Sequence, residues 1–247
     1  MARRRFLVDQ IRDNTAELHG GDARHLARVL RGAPGQQYEI TDGQGIYLAE
    51  ISTVEKDRVT FRVVEAVESP QVSAVRVTLL AALIKFDRFE WLVEKATELG
   101  VSAIVPVNAA RSEKGLLEAA GKRVERWRRI AHESSQQARR VRLPEIAEPR
   151  PLATAIAAVT GLRYFLDEKP GAPPLICAIP AAAQRRDSDA AALLTGPEGG
   201  WTEAERDATA AAGWAPVSLG PLILRAETAA ITGAALLVHA WWASQLE

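Results

Sequence analysis

The sequence has little sulfur: one cysteine, Cys177, and one methionine at the start of its 247 residues. A lone cysteine excludes an internal disulfide and a cysteine-based zinc site, and it fits a reducing compartment. A long hydrophobic run is also missing. The longest apolar stretch, Ala226 to Ala243, is interrupted by Glu227 and His239 and reads as a buried C-terminal helix rather than a membrane span. The basic start, Met1 to Phe6, runs into Asp9, Arg12 and Asp13 without an apolar segment, which argues against a secretory signal. The expectation is a soluble, cytoplasmic protein. Net charge is absent too, with 31 basic residues against 31 acidic ones. No glycine-rich segment ends in Gly-Lys-Ser/Thr, and none has the G-x-G-x-x-G spacing, so a phosphate loop and a dinucleotide fingerprint are both excluded.

What is present is an ordinary globular composition, 47% hydrophobic and 25% charged, with charge that is unevenly placed. Arg3, Arg4, Arg5, Arg12, Arg24, Arg28 and Arg31 crowd the first segment. Lys122, Arg123, Arg126, Arg128, Arg129, Arg139, Arg140 and Arg142 form a second cluster opposed by only Glu125 and Glu133. Such local positive fields can hold a phosphate backbone although the total is neutral. Solvated helix faces are the alternative reading of the same residues.

The texture of the chain changes near Ser69-Pro70. Before it, Tyr38 to Thr41, Gly45 to Ile51 and Arg58 to Val67 read as strands, separated by turns at Asp42-Gly43 and Lys56-Asp57. With one helix near Gly21 to Leu30, they predict a compact barrel. After it, strands alternate with helices. Strands are expected at Val75 to Leu83, Ser102 to Val107, Arg163 to Asp167, Ala191 to Thr195 and Pro216 to Leu219. A helix follows Asp87-x-x-Glu90, read as a capping arrangement, and stops at Gly100. One long basic helix is expected over Leu116 to Val141, and further helices over Pro149 to Ala158, Glu203 to Ala212 and Glu227 to Trp242. Pro170 to Ala183 reads as a loop, with Cys177 buried in an apolar run. The alternation predicts a mostly parallel sheet covered on both faces.

Two turns carry the chemistry. Leu194-Thr195-Gly196-Pro197-Glu198-Gly199-Gly200 follows a strand and leads through Thr202-Glu203-x-Glu205 into a helix. Three glycines and a proline at a strand's carboxyl end let backbone approach a ligand closely; the alternative is a plain β-to-α turn. The second turn, Leu219-Gly220-Pro221-Leu222-Ile223-Leu224-Arg225, leads into Ala226-Glu227-Thr228. An apolar loop ending in an arginine and a helix start can wrap an uncharged heterocycle, its backbone meeting the ring edge. Leu222, Ile223 and Leu224 can equally be core.

Together, Gly-Pro-Glu-Gly-Gly-x-Thr-x-x-Glu and Leu-Gly-x-x-Ile-Leu-Arg-x-Glu-Thr-Ala resemble the signature of the bacterial 16S rRNA (uracil-N3)-methyltransferase family, among the trefoil-knotted (SPOUT) methyltransferases. Lys85-x-x-Arg88, Lys95-x-Thr97-Glu98-Leu99-Gly100-Val101, Arg111-Ser112, Glu133-x-x-x-Gln137-x-x-Arg140 and His25-x-x-x-Val29-Leu30-Arg31 are similar to further elements of that family. Trp201 stands where phenylalanine is usual, and Pro221 where a polar or basic residue is expected. The resemblance implies an α/β fold in which a PUA-like β-barrel over residues 1–70 precedes a trefoil-knotted methyltransferase domain over residues 71–247. It also implies a homodimer, S-adenosylmethionine as cofactor, and 16S rRNA or the small ribosomal subunit as partner. The cofactor would be held by Leu194 to Gly200, Leu219, Gly220, Ile223, Leu224, Arg225 and Thr228. Arg225 is expected to stabilise negative charge on a uracil carbonyl oxygen, or else to brace the loops by pairing with Glu198 or Glu227. Glu198 is expected to accept from a cofactor amine or to order the glycine turn. Arg4, Arg5, His25, Arg28, Arg31, Arg139 and Arg140 are the expected RNA ligands. A ribose 2′-O-methyltransferase of the same superfamily and a non-catalytic RNA-binding protein are the competing readings.

Overall fold

The computed structural model describes residues 5–68, 75–186 and 188–244. Arg4 and the Ser69-Pro70 boundary lie outside these residues. The chain forms two compact units. The first is Met1–Pro70 together with His132–Leu143, and the second is Gln71–Ala131 together with Pro144–Glu247.

The first unit is a six-stranded sheet in the order β1-β4-β5-β6-β3-β2. It comprises β1 (Arg5–Leu7), β2 (Ile11–Arg12), β3 (Thr15–His19), β4 (Gln37–Thr41), β5 (Ile46–Val54) and β6 (Arg58–Val67). Strands β1 and β4 are parallel and the remaining pairs antiparallel. The turn between β4 and β5 forms as its residues require: Asp42 Oδ1 accepts from the amides of Gln44 and Gly45, and Gly43 takes φ +86°. Phe6, Leu18, Leu26, Ile40, Ile51, Val59 and Phe61 fill the core. The expected single helix is α1 (Gly20–Arg24), which passes into a π-helical turn, His25–Val29.

The second unit is built on a parallel sheet in the order β10-β8-β7-β12-β11-β13, with β9 also paired to β8. Its strands are β7 (Arg76–Ala82), β8 (Ala103–Asn108), β9 (Glu145–Ile146), β10 (Arg150–Pro151), β11 (Leu162–Leu166), β12 (Ala190–Thr195) and β13 (Ala215–Val217). Helices α2 (Phe86–Glu98), α3 (Leu116–Gly121), α4 (Val124–Gln137), α5 (Leu152–Ala157), α6 (Leu175–Ala178), α7 (Glu203–Ala211) and α8 (Ala226–Ala243) complete the chain. Alternate residues of the central strands feed two separate cores, as in a sheet buried on both faces. Leu79, Ala81 and Leu193 join Phe89, Trp127 and Leu237, whereas Leu80, Ala192 and Leu194 join Ile156, Trp201 and Trp214. Helix α8 lies so close to β12 that a Cβ on Gly233 would stand 2.6 Å from Leu193. No described helix is long and apolar enough to cross a membrane.

Several local expectations need correction. Asp87-x-x-Glu90 makes no capping bond; Lys85 is the N-cap of α2, and Glu90 instead accepts from Arg126 at 2.6 and 2.7 Å. The long basic helix is two helices, α3 closing at Lys122 and α4 ending at Gln137. Its end has a physical cause. Arg139 takes φ +56°, its amide donates to Gln136 O, and the Arg140 amide reaches back to Ser135 O, a Schellman closure. A non-glycine residue in that conformation costs about 1–2 kcal/mol, which the bond from the Arg139 guanidinium to Glu39 helps offset. Cys177 is exposed, not buried, because the residues facing inward here are Leu175 in one-turn α6 and Ile179 just after it.

Candidate functional site

All neighbouring strands of the second sheet are parallel, so their carboxyl ends share one edge. Strands β7 and β12 are neighbours, yet the chain leaves β7 toward β8 on one side and leaves β12 toward β13, beyond β11, on the other. That divergence is a topological switch point, the place at the strands' carboxyl ends where open α/β sheets commonly bind ligands. The glycine turn follows β12 at this point.

The turn's glycines answer to the protein itself. A Cβ on Gly196 would stand 2.9 Å from the indole of Trp201, which is 1% exposed and donates to Leu166 O at 2.9 Å. Tryptophan at this position thereby gains an anchor that phenylalanine would lack. Gly200 takes φ +67°, and a Cβ there would meet Glu168 Oε1 at 2.4 Å. Glu168 is held in turn by Arg206, which also binds Asp167.

The segment after the turn is fastened by Glu205. Thr202 and Glu205 form a reciprocal capping box on α7, and the other Glu205 oxygen accepts from the Ala110 amide at 2.7 Å. That places Arg111 where its guanidinium donates to Gly199 O at 2.9 Å. On the opposite side, Arg88 in the first turn of α2 donates to Glu198, and its Nε lies 4.0 Å from Glu227 in the first turn of α8. Arg88 thus ties the glycine turn to the start of α8, which the apolar loop enters.

The apolar loop stands in solvent rather than in the core. Ile223 is 94% exposed and Leu222 78%, Gly220 takes φ +114°, and Leu224 is half-buried. Exposed aliphatic side chains at the strands' carboxyl edge make this loop a candidate ligand-contacting surface. Arg225 is exposed and its side chain has no ion pair or hydrogen bond among the described residues, so the loop brace expected of it is supplied by Arg88. Leu194, Thr195 and Pro197 are buried beneath the turn; Leu219 and Thr228 are half-buried.

The candidate RNA ligands all belong to the first unit, where they divide in two. Arg28 and Arg31 are exposed, Arg31 with φ +52°, and His25 is half-buried. Arg5 is a correction: it is 2% exposed, and its guanidinium is committed to Glu39 at 2.9 Å and to the Arg139 carbonyl. It builds this unit instead of meeting a phosphate. Arg139 also serves Glu39. Burial works to raise the Glu39 carboxyl, but the hydrogen bonds and charges of Arg139 and Arg5 outweigh it and hold that carboxyl below its ordinary value. Burial pulls Arg140 down to about 10, which leaves it charged at neutral pH. Residues 132–143 meet the first sheet through Thr41, whose hydroxyl donates to Val141 O, and through Asp22, which accepts from Gln136 and pairs with His132.

Sequence reasoning assigned no role to Arg88, Arg111 or Glu205. All three sit inside motifs already singled out, Lys85-x-x-Arg88, Arg111-Ser112 and Thr202-Glu203-x-Glu205, which was the available signal. Glu168, Arg206 and the pairing of Glu90 carried no comparable pattern.

Comparison with known proteins identifies the family. The profile of the RNA methyltransferase domain matches residues 71–238, and that of the RNA methyltransferase PUA domain matches residues 18–64. The chain is 34% identical to ribosomal RNA small subunit methyltransferase E of Synechocystis over 90% of its length and 72% of the relative's. The chain belongs to this methyltransferase family. A Bacillus subtilis member is 31% identical, with 87% of this chain and 86% of that one covered. Among solved structures, the member from Neisseria gonorrhoeae bound to S-adenosyl methionine is similar at a TM-score of 0.83 and 28% identity, covering 97% of this chain and 98% of that one. A putative methyltransferase from Legionella pneumophila, in complex with the same cofactor, gives a TM-score of 0.85 at 29% identity, with 97% and 98% covered. Family membership accounts for the fold of the chain, a curled β unit and a parallel α/β unit.

Proposed function

We propose that this protein methylates small-subunit ribosomal RNA with S-adenosylmethionine, at N3 of a uracil, in the cytoplasm. The observation that carries the reading is Arg88, which joins the glycine turn and the start of α8 at the point where the sheet's connections diverge. The residues present fit the cofactor. The turn offers backbone at a strand's carboxyl end, the loop offers uncovered Leu222 and Ile223, and Glu227 Oε2 is a buried oxygen without a donor among the described residues.

Residues Leu194 to Gly200 would hold the adenosyl group by backbone, with Leu219, Gly220, Ile223, Leu224, Arg225 and Thr228 closing over it. S-adenosylmethionine supplies an electrophilic methyl group on a sulfonium. The chain supplies orientation and electrostatics. Arg225, exposed and unpaired among the described residues, is free to face a uracil carbonyl as negative charge develops on loss of the N3 proton. Glu198, bound to Arg88, orders the turn. On the domain assignment 1–70 and 71–247, with residues 132–143 grouped with the first unit, that unit is the part proposed to hold RNA, through Arg28, Arg31 and Arg140. A trefoil knot and a homodimer complete the reading.

The test is nucleoside analysis of small-subunit rRNA from cells lacking the gene. Loss of 3-methyluridine is expected. An unchanged 3-methyluridine content with loss of a ribose methyl group would overturn the base assignment.

A further inference from the structure

Glu227 is a buried charge with an incomplete set of partners. Glu227 is 5% exposed, and its Oε2 has no hydrogen-bond donor among the described residues. Its other oxygen has only Arg88, at 4.0 Å, and that guanidinium is already engaged by Glu198. Two carboxylates therefore share the Arg88 guanidinium, and Glu227 holds only its distant side. A buried carboxylate without full compensation is costly, and the positive end of the α8 dipole relieves only part of that cost. Glu227 Oε2 is thus a buried acceptor with no donor of its own among the described residues.

We propose that Glu227 makes this site select the positively charged methyl donor over its neutral demethylated product. The inference rests on the S-adenosylmethionine reading above. Methyl transfer breaks the carbon–sulfur bond with its electron pair left on sulfur, so the sulfonium becomes an uncharged thioether, while the target nitrogen, its proton given up to water, forms the new bond with the electron pair thus freed. The amino-acid head of the cofactor keeps its charges throughout. A carboxylate that faces the sulfonium thus favours the loaded donor and loses that attraction once transfer is complete, which eases product exit. A carboxylate that only met the ammonium head would hold donor and product alike.

The experiment is calorimetric binding of S-adenosylmethionine and S-adenosylhomocysteine to the full chain and to Glu227→Gln. The variant should bind the donor at least about tenfold more weakly, the scale of one lost charge contact in a partly dry site, while product affinity moves less than about threefold. Equal weakening of both ligands, or no change in either, overturns the proposal and leaves the cofactor reading intact. Failure of the unaltered protein to bind either ligand overturns both. A second measurement needs no variant: sinefungin carries a protonated amine in place of the sulfonium, so the unaltered protein should bind it more tightly than S-adenosylhomocysteine. Equal affinities would refute charge selection.

Discussion

Replacing Glu205 by alanine tests how the glycine turn is held. Glu205 is 9% exposed and accepts three bonds: from the Thr202 amide at 2.9 Å, the Thr202 hydroxyl at 2.9 Å and the Ala110 amide at 2.7 Å. In Glu205→Ala the Thr202 hydroxyl can still cap α7, since it accepts from the backbone amide of residue 205. The reciprocal half of the box is lost, a cost of about 1 kcal/mol. The Ala110 amide loses an ionised acceptor in a part-buried place, which adds about 1–3 kcal/mol. The sum is about 2–4 kcal/mol. For a unit of this size, roughly 2–4 °C of melting temperature accompanies each kcal/mol, so the unfolding midpoint should fall by about 5–15 °C. Because Ala110 positions Arg111, and Arg111 holds Gly199 O, cofactor affinity measured below the melt should fall too. Differential scanning calorimetry with and without S-adenosylmethionine provides both readings. A variant that melts within 1 °C of the parent, roughly the precision of the measurement, would refute the bracing role.

Gly200→Ala places a Cβ where φ is +67° and Glu168 Oε1 is 2.4 Å away. The glycine turn should shift, and calorimetry should show at least about tenfold weaker cofactor binding, equivalent to 1.4 kcal/mol; parental affinity would count against the turn as the pocket. Arg28→Ala with Arg31→Ala should weaken rRNA binding and reduce its salt dependence by about one to two in the log–log slope, with cofactor affinity unchanged. An unaltered slope in filter binding would remove both residues from the RNA surface. The bond from Asp22 raises the His132 pKa against the effect of burial. A raised folded-state value contributes stability that is complete below the unfolded value of about 6.5 and is lost as pH rises through the folded one. The first unit should therefore lose stability in that window, and His132→Gln should flatten the profile in urea titrations; an identical pH profile for both proteins would contradict the pairing.

The legible parts of the fold were those with strong periodicity or specific turn chemistry. Strands β4 to β8 and β11 to β13, the Gly100 stop of α2, the ends of α7 and α8, and the glycine turn all coincide with their signals to within a few residues. The unread parts depend on long-range partners. Strands β1 and β2, three and two residues long, are too short for an alternation to register. Arg5 looks like a phosphate ligand until Glu39, 34 residues away, is seen beside it. The segment 132–143 reads as more of a basic helix, because no local residue foretells its return to the first unit or the left-handed stop at Arg139. At the candidate site, the glycines and the apolar loop were visible as motifs, while Arg88, Arg111 and Glu205 needed coordinates to show what each one holds.

The most direct measurement is a crystal structure of the protein grown with S-adenosylmethionine. The adenosyl group is expected to be enclosed by residues 196–200 and 219–225, with the sulfonium on the side of Glu227. An adenosyl group bound elsewhere, or one touching only one of the two turns, would contradict that expectation.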